Sequence, residues 1–224
     1  MPPENFSQVT MNPIPSASAN FDVRILDNDR DELSKLLVHL KKHADTAFYN
    51  LGKVQHEDPQ RRNPITEKSC KNLIASILEA SKISDFVKEK IAGNNDESLT
   101  FVVAYDPENL PQAIGFLQNR IHNGTSKIEI VSIITSIWNL NYPDDNARTK
   151  GAGSAIVDFC KHLGKERKAK SLNLWARPIS LPFFEKHGFK ELPYKPTVNQ
   201  VDEIPFIYTR LSFDLDESAA AQPS

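Results

Sequence analysis

The stretch Arg148-Thr149-Lys150-Gly151-Ala152-Gly153 lies between an apolar β-strand and an amphipathic helix. Upstream, residues 128–135 read Ile-Glu-Ile-Val-Ser-Ile-Ile-Thr, which is typical of a strand covered on both faces. Downstream, apolar residues recur on one helical face at Ala152, Ile156, Phe159 and Leu163. A strand, a glycine turn and a helix in this order leave the first helical N–H groups unpaired at the positive end of the helix dipole. The stretch therefore predicts a phosphate-binding site.

The residue types in this stretch support that prediction. Gly151 and Gly153 allow the backbone to approach a ligand, and Arg148 and Lys150 add positive charge. Two common phosphate motifs do not fit. A Walker loop needs six residues from its first Gly to a Gly-Lys-Ser/Thr, and residues 151–154, Gly-Ala-Gly-Ser, do not fit that spacing. The dinucleotide fingerprint needs a third small residue where this chain has Ile156.

The spacing Arg-x-x-Gly-x-Gly resembles the acyl-CoA pyrophosphate loop of the GCN5-related N-acetyltransferase (GNAT) superfamily. A second resemblance follows along the chain. Residues 181–189 read Leu-Pro-Phe-Phe-Glu-Lys-His-Gly-Phe, similar to the family's Phe-Tyr-Glu-Lys-x-Gly-Phe signature, and a short strand at 172–176 precedes them. The two motifs stand in the family's order and on the expected elements.

The predicted fold is an α/β domain with a mixed sheet, in the GNAT order β-α-α-β-β-β-α-β-α-β over residues 21–213. The resemblance implies that its central strands, at 128 and 172, splay apart to admit acyl-CoA. Residues 1–20, rich in Pro, Ser and Asn, and residues 214–224 are predicted to be tails. A first helix of roughly 15 residues is expected from Asp29, followed by a long loop at 49–65 that would shape acceptor specificity.

Composition excludes several classes of protein. The formal net charge of −2 gives no reason to expect nucleic acid or a membrane surface as a partner. No run of 18 apolar residues and no signal peptide is visible, and the two cysteines, Cys70 and Cys160, lack metal-ligand spacing. We expect a cytoplasmic monomer or homodimer without a metal, with Cys160 as a core residue and not a nucleophile. The alternative location is a secreted bacterial effector, because such proteins often begin with a segment like residues 1–20.

The resemblance implies an acetyl-CoA-dependent N-acetyltransferase, in which a primary amine of a protein or small molecule attacks acetyl-CoA directly in a ternary complex. The cofactor-binding residues would be Arg148, Thr149, Lys150, Gly151, Ala152, Gly153 and Ser154. Glu129 is the candidate general base, because many members carry a glutamate at this strand position. A half-buried glutamate paired with a neighbouring cation is the alternative role for Glu129.

The chain departs from the family pattern at two places. Residues 137–147 form an insertion between the central strand and Arg148. Phe184 stands where many members use a tyrosine to protonate the leaving thiolate, so Tyr194 is a candidate replacement, with Tyr208 as the alternative. Arg177 stands where an asparagine often contacts the cofactor arm. These departures motivate an alternative function, a catalytically weak or inactive GNAT-fold module that binds CoA or a protein partner.

Overall fold

The computed structural model describes residues 21–26, 29–56, 64–93, 98–122, 124–135, 151–193, 197–201 and 204–215. Five features of the sequence analysis lie outside these residues: the N-terminal tail, the 137–147 insertion, the cations Arg148 and Lys150 with Thr149 between them, Tyr194, and residues 216–224 of the C-terminal tail. The structural statements below concern the described residues.

Strands and helices follow one another largely as predicted. The elements are β1 (Asp22–Ile25), α1 (Arg30–His56), α2 (Pro64–Ile91), β2 (Leu99–Tyr105), β3 (Pro111–His122), β4 (Thr125–Thr135), α3 (Ala152–Glu166), β5 (Ser171–Ala176), α4 (Leu181–Lys186), β6 (Lys190–Glu191), β7 (Thr197–Val201) and β8 (Ile204–Asp214). The short strands β6 and β7 were not predicted.

The strands form one mixed sheet in the order β1-β2-β3-β4-β5-β8-β6, with β7 paired to β8. β4 and β5 are parallel, whereas the other described pairings are antiparallel. The parallel pair follows from the connection between its strands, because α3 carries the chain back to the start of the next strand. The predicted mixed sheet is confirmed.

Helices cover both faces of the sheet. On β2, Phe101 and Val103 join the core beneath α1 and α2, and Val102 and Ala104 join the core beneath α3 and α4. This alternation is the two-residue period of a strand buried on both faces. The α1–α2 core includes Leu33, Leu36, Leu40, Ile83, Val87 and Phe116, and the α3–α4 core includes Ile128, Ile130, Ile156, Leu163, Leu172 and Phe184.

The first helix is longer than predicted. α1 has 27 residues and continues to His56, and α2 begins at Pro64, so the loop expected at 49–65 is wrong for 49–56 and 64–65, while 57–63 lie outside the described residues. Leu51 explains the extension, because it packs against a small cluster formed by Ala47 and Leu73. Tertiary packing of this kind offsets the cost of a glycine such as Gly52 within a helix. Among the described helices, none combines the length and apolarity needed to span a bilayer.

A buried histidine joins α1 to α2. His43 is 2% exposed, and its Nε2 lies 2.6 Å from Oγ of Ser76. Burial, together with a smaller contribution from the neighbouring His39, lowers the pKa of His43 from 6.5 to about 4. The folded protein therefore holds His43 neutral at pH values where an unfolded chain would protonate it.

We predict that acidification destabilises the fold through His43. Between pH 6.5 and about 4 the unfolded state binds the extra proton, so this contribution to stability is complete above pH 6.5 and is lost progressively towards pH 4. Urea unfolding across this range should show a smaller loss of stability for His43→Gln than for the wild type. His162→Gln, at an exposed position on α3, is the control and should retain the wild-type pH dependence. Equal pH dependence in wild type and His43→Gln would contradict the prediction.

Candidate functional site

The parallel strands β4 and β5 separate partway along their length. Their pairing begins at Lys127 with Ser171 and ends at Ile130 with Leu174. β4 then continues to Thr135 and β5 to Ala176 without a further pair between them over these described residues. We call the opening beyond the Ile130–Leu174 pair the β4–β5 gap.

A β-bulge in β4 lies where the gap begins. Phe116 of β3 pairs with Ser132 and the next residue, Leu117, pairs with Ile130, which leaves Val131 as an extra residue in β4. A bulge bends its strand and increases the local twist. The bulge therefore turns β4 at the point where it parts from β5, and supplies a physical cause for the gap.

The N-terminus of α3 lies close to the end of β4. Gly151 precedes the helix with φ 105° and ψ −7°, a backbone conformation that favours glycine. Its carbonyl accepts the first helical hydrogen bond, from the N–H of Ala155 at 2.9 Å. Within the described residues, no side-chain hydrogen bond caps this end of the helix. The first N–H groups of α3, with the positive end of its dipole, are thus available to an anion.

Gly153 is small for a reason that the sequence does not reveal. A Cβ at this position would lie 3.4 Å from Cγ2 of Thr135 and 3.5 Å from Cζ of Phe183. Gly153 therefore allows the first turn of α3 to pack closely against the end of β4 and against α4. Its missing side chain faces protein groups, while its backbone N–H belongs to the helix N-terminus.

Ser154 and His187 connect α3 to α4. The Oγ of Ser154 is 3.0 Å from Nε2 of His187, and Nδ1 of His187 is 3.7 Å from the carboxylate of Asp158. Lys161 Nζ also donates to the His187 carbonyl at 2.8 Å. Burial lowers the pKa of His187, and Asp158 opposes that shift. The sequence analysis missed His187 because it occupies the variable position of the 181–189 motif.

Comparison with known proteins identifies the architecture. No protein-family model and no curated protein matches the chain. Solved structures do match. A protein described as an acetyltransferase of the GNAT family from Desulfovibrio desulfuricans is 12% identical with a TM-score of 0.54, and the match covers 87% of this chain and 99% of that one. The chain has the GNAT fold.

Two further structures support this assignment. Spermidine/spermine N-acetyltransferase SpeG from Vibrio cholerae is 10% identical with a TM-score of 0.53, over 93% of this chain and 100% of its own. An N-acetyltransferase from Staphylococcus aureus Mu50 is 15% identical with a TM-score of 0.50, over 88% and 98% of the two chains. The predicted superfamily resemblance is confirmed at the level of the fold.

Within this GNAT fold, Glu129 lies on β4 before the gap opens, in the segment where β4 pairs with β5. Its Oε2 forms an ion pair with Nε of Arg120 on β3 at 2.8 Å, and its side chain is 19% exposed. This is the arrangement considered as the alternative for Glu129, a half-buried glutamate with a cation partner. The role of Glu129 as a base stays a prediction.

Phe184 and Cys160 are core residues. The ring of Phe184 lies 5.0 Å from that of Phe183 and 5.7 Å from that of Phe189, centroid to centroid. Cys160 is fully buried, and burial raises the pKa of its thiol to about 12. A thiol that stays protonated at neutral pH is not an activated nucleophile, so the expectation of a structural Cys160 is confirmed. The described residues also contain no cluster of three metal-ligating side chains.

A polar group that the sequence analysis did not find lies at the gap. Glu79 of α2 accepts hydrogen bonds from Arg177 at 2.6 Å and from Oγ of Ser132 at 2.5 Å. Arg177 directly follows β5, and Ser132 belongs to the bulge in β4. Ser132 and Arg177 are 53 and 98 positions from Glu79 in the sequence, so no local pattern could have revealed this group.

We predict that Gly151→Ala destabilises the protein by about 1 kcal/mol, because an L side chain disfavours the backbone conformation that precedes α3. Gly52→Ala is the matched control. A Cβ at Gly52, within α1, meets no atom within 4 Å, so that change should stabilise the protein by up to about 1 kcal/mol. Urea unfolding of the two variants tests the pair. Equal effects of both would contradict the special role of Gly151.

Proposed function

We propose that this protein is an acetyl-CoA-dependent N-acetyltransferase that acts on a primary amine. The observation that carries the proposal is the β4–β5 gap, which opens beside the uncapped N-terminus of α3. The helix N-terminus suits the pyrophosphate of CoA, and the gap suits its long, uncharged arm. Together they form an anion site next to a channel through the sheet, which is the shape that an acyl-CoA requires.

The sequence motif at 148–154 and the position of the α3 N-terminus together support a choice of residues for the donor substrate. We propose that Arg148, Thr149, Lys150, Gly151, Ala152, Gly153 and Ser154 hold the pyrophosphate, through backbone N–H groups and the two cations. The hydrogen bond between Ser154 and His187 fixes the first turn of α3 relative to α4. Acetyl-CoA supplies an acetyl thioester, and the backbone of β4 and β5 along the gap supplies hydrogen-bonding groups for its arm.

Acyl transfer requires one bond to form and one to break. The amine nitrogen bonds to the thioester carbonyl carbon, the carbon–sulfur bond breaks, and the nitrogen loses a proton. We propose Glu129 as the group that accepts this proton, directly or through water. Tyr194 is the proposed proton donor to the departing thiolate, since Phe184 has no hydroxyl. A thiol of ordinary pKa about 8.5 also leaves as the thiolate without a donor.

A second candidate function is a GNAT-fold module that binds CoA or a protein partner with little or no turnover. Two observations favour it. Glu129 is engaged by Arg120, and Phe184 is packed into the core where many members have a tyrosine. The CoA-binding form of this module shares CoA binding with the enzyme and differs from it in catalysis, whereas a module for a protein partner alone predicts neither.

The experiment that separates the two functions is a thiol-release assay with acetyl-CoA and a panel of primary amines. The panel should include a polyamine, a lysine peptide and a free peptide N-terminus. Enzymatic release of CoA that depends on one class of amine would support the acetyltransferase. Tight binding of acetyl-CoA without release above the rate in buffer would favour the binding module.

We predict that Glu129→Gln lowers turnover about a hundredfold, because the amide cannot accept the proton of the amine. The affinity for acetyl-CoA should change little, since Glu129 lies outside the gap and away from α3. Arg120→Gln is the matched control, because it breaks the same ion pair but keeps the carboxylate. If the two variants lose activity equally, the ion pair matters and Glu129 is not the base.

A further inference from the structure

The carboxylate of Glu79 joins three elements at the point where the sheet opens. Its side chain extends from α2 and binds Ser132 on β4 and Arg177 after β5. Ser132 is two positions beyond Ile130, and Arg177 is three positions beyond Leu174, the last residues that pair β4 with β5. Glu79 therefore bridges the two strands across the gap, where the backbone hydrogen bonds between them have ended.

The bridge is partly shielded from solvent. The side chains of Arg177 and Glu79 are 17% and 22% exposed. Charge-assisted hydrogen bonds are stronger than neutral ones, and they are weakened less by salt when they are partly buried. Loss of Glu79 would remove a carboxylate partner from the partly buried guanidinium of Arg177, and with it the bridge between β4 and the end of β5.

The bridge and the anion site lie on opposite faces of the sheet. Ser132 faces α2 through its bond to Glu79, whereas Ile128 and Ile130 of the same strand pack in the core beneath α3. Glu79 is therefore separated by the sheet from the N-terminus of α3. A change at Glu79 should affect a ligand that enters the gap, and should spare a ligand that reaches only the helix N-terminus.

We propose that Glu79 is the positioning residue of the β4–β5 gap, where its bonds to Ser132 and Arg177 fix the separation of the two strands for the acyl arm of CoA. This inference rests on the proposed function. It also assigns Arg177 a role in the bridge across the gap, in place of the contact with the cofactor arm that its sequence position suggested. Glu79 acts through its two partners and takes no part in the chemistry.

The test compares two ligands by calorimetry. Acetyl-CoA reaches both the helix N-terminus and the gap, whereas 3′-phospho-ADP, the nucleotide half of CoA, reaches only the helix N-terminus. We expect Glu79→Ala to weaken acetyl-CoA binding about tenfold, because both hydrogen bonds that hold the two strands at their separation are lost, and to change the affinity for 3′-phospho-ADP less than about twofold. A general loss of stability would weaken the binding of both ligands in the same proportion. Equal weakening for the two ligands would therefore overturn the inference.

Two further variants make the test specific. Asp85→Ala removes another acid from α2, one whose ion pair with Lys88 is exposed, and should leave both affinities unchanged. Ser132→Ala removes one arm of the bridge and keeps the Glu79–Arg177 ion pair. Ser132→Ala should weaken the binding of acetyl-CoA, by less than Glu79→Ala does, and should leave the binding of 3′-phospho-ADP unchanged. It serves as the test if Glu79→Ala does not fold.

The outcomes also separate this inference from the proposed function. If the folded wild-type protein binds neither acetyl-CoA nor 3′-phospho-ADP, both the proposed function and the role of Glu79 are contradicted. Wild-type binding of acetyl-CoA that is unchanged in Glu79→Ala and Ser132→Ala would overturn the role of Glu79 and leave the acetyltransferase proposal intact.

Discussion

The end of backbone pairing between β4 and β5 is the constraint on which the rest of this structure depends. Two parallel strands in the middle of a sheet normally satisfy each other's N–H and C=O groups along their whole length. Here the pairing stops at Ile130 and Leu174, and the bulge at Val131 turns β4 away. Beyond that point, no strand among the described residues pairs with the facing edges of β4 and β5, and we propose that their backbone groups bind the arm of CoA.

The surrounding elements keep the sheet intact around this opening. Below it, Ile128 and Leu172 are fully buried in the core beneath α3. On the opposite face, α1 and α2 pack over the antiparallel strands, and Glu79 extends from α2 to both sides of the gap. Close packing of the first turn of α3, made possible by Gly153, sets the helix N-terminus against the end of β4. The gap and the N-terminus of α3 thus come together from parts that are far apart in sequence.

Local patterns predicted much of this arrangement. The strands β4 and β5 and the helix after Gly151 carry sequence patterns that depend only on neighbouring residues, and they form where expected. The extent of α1 was mispredicted, because the packing of Leu51 against Leu73 is a tertiary contact that outweighs the polar composition of 49–56. The Glu79 bridge is also a product of tertiary structure. The partner of Glu129 was foreseen only as an unspecified cation, since Arg120 comes beside it only through the pairing register of β3 with β4.

The measurement that tests the central claim most directly is a titration of isotope-labelled protein with acetyl-CoA, followed through its backbone amide resonances. The account predicts saturable shifts at Gly151, Gly153 and Ser154, for the pyrophosphate, and at Ser132 to Thr135, for the arm in the gap. The amides of α1 far from the sheet opening should be unaffected. A folded protein whose shifts cluster elsewhere, or that shows none at millimolar acetyl-CoA, would contradict the claim that the gap and the N-terminus of α3 form an acyl-CoA site.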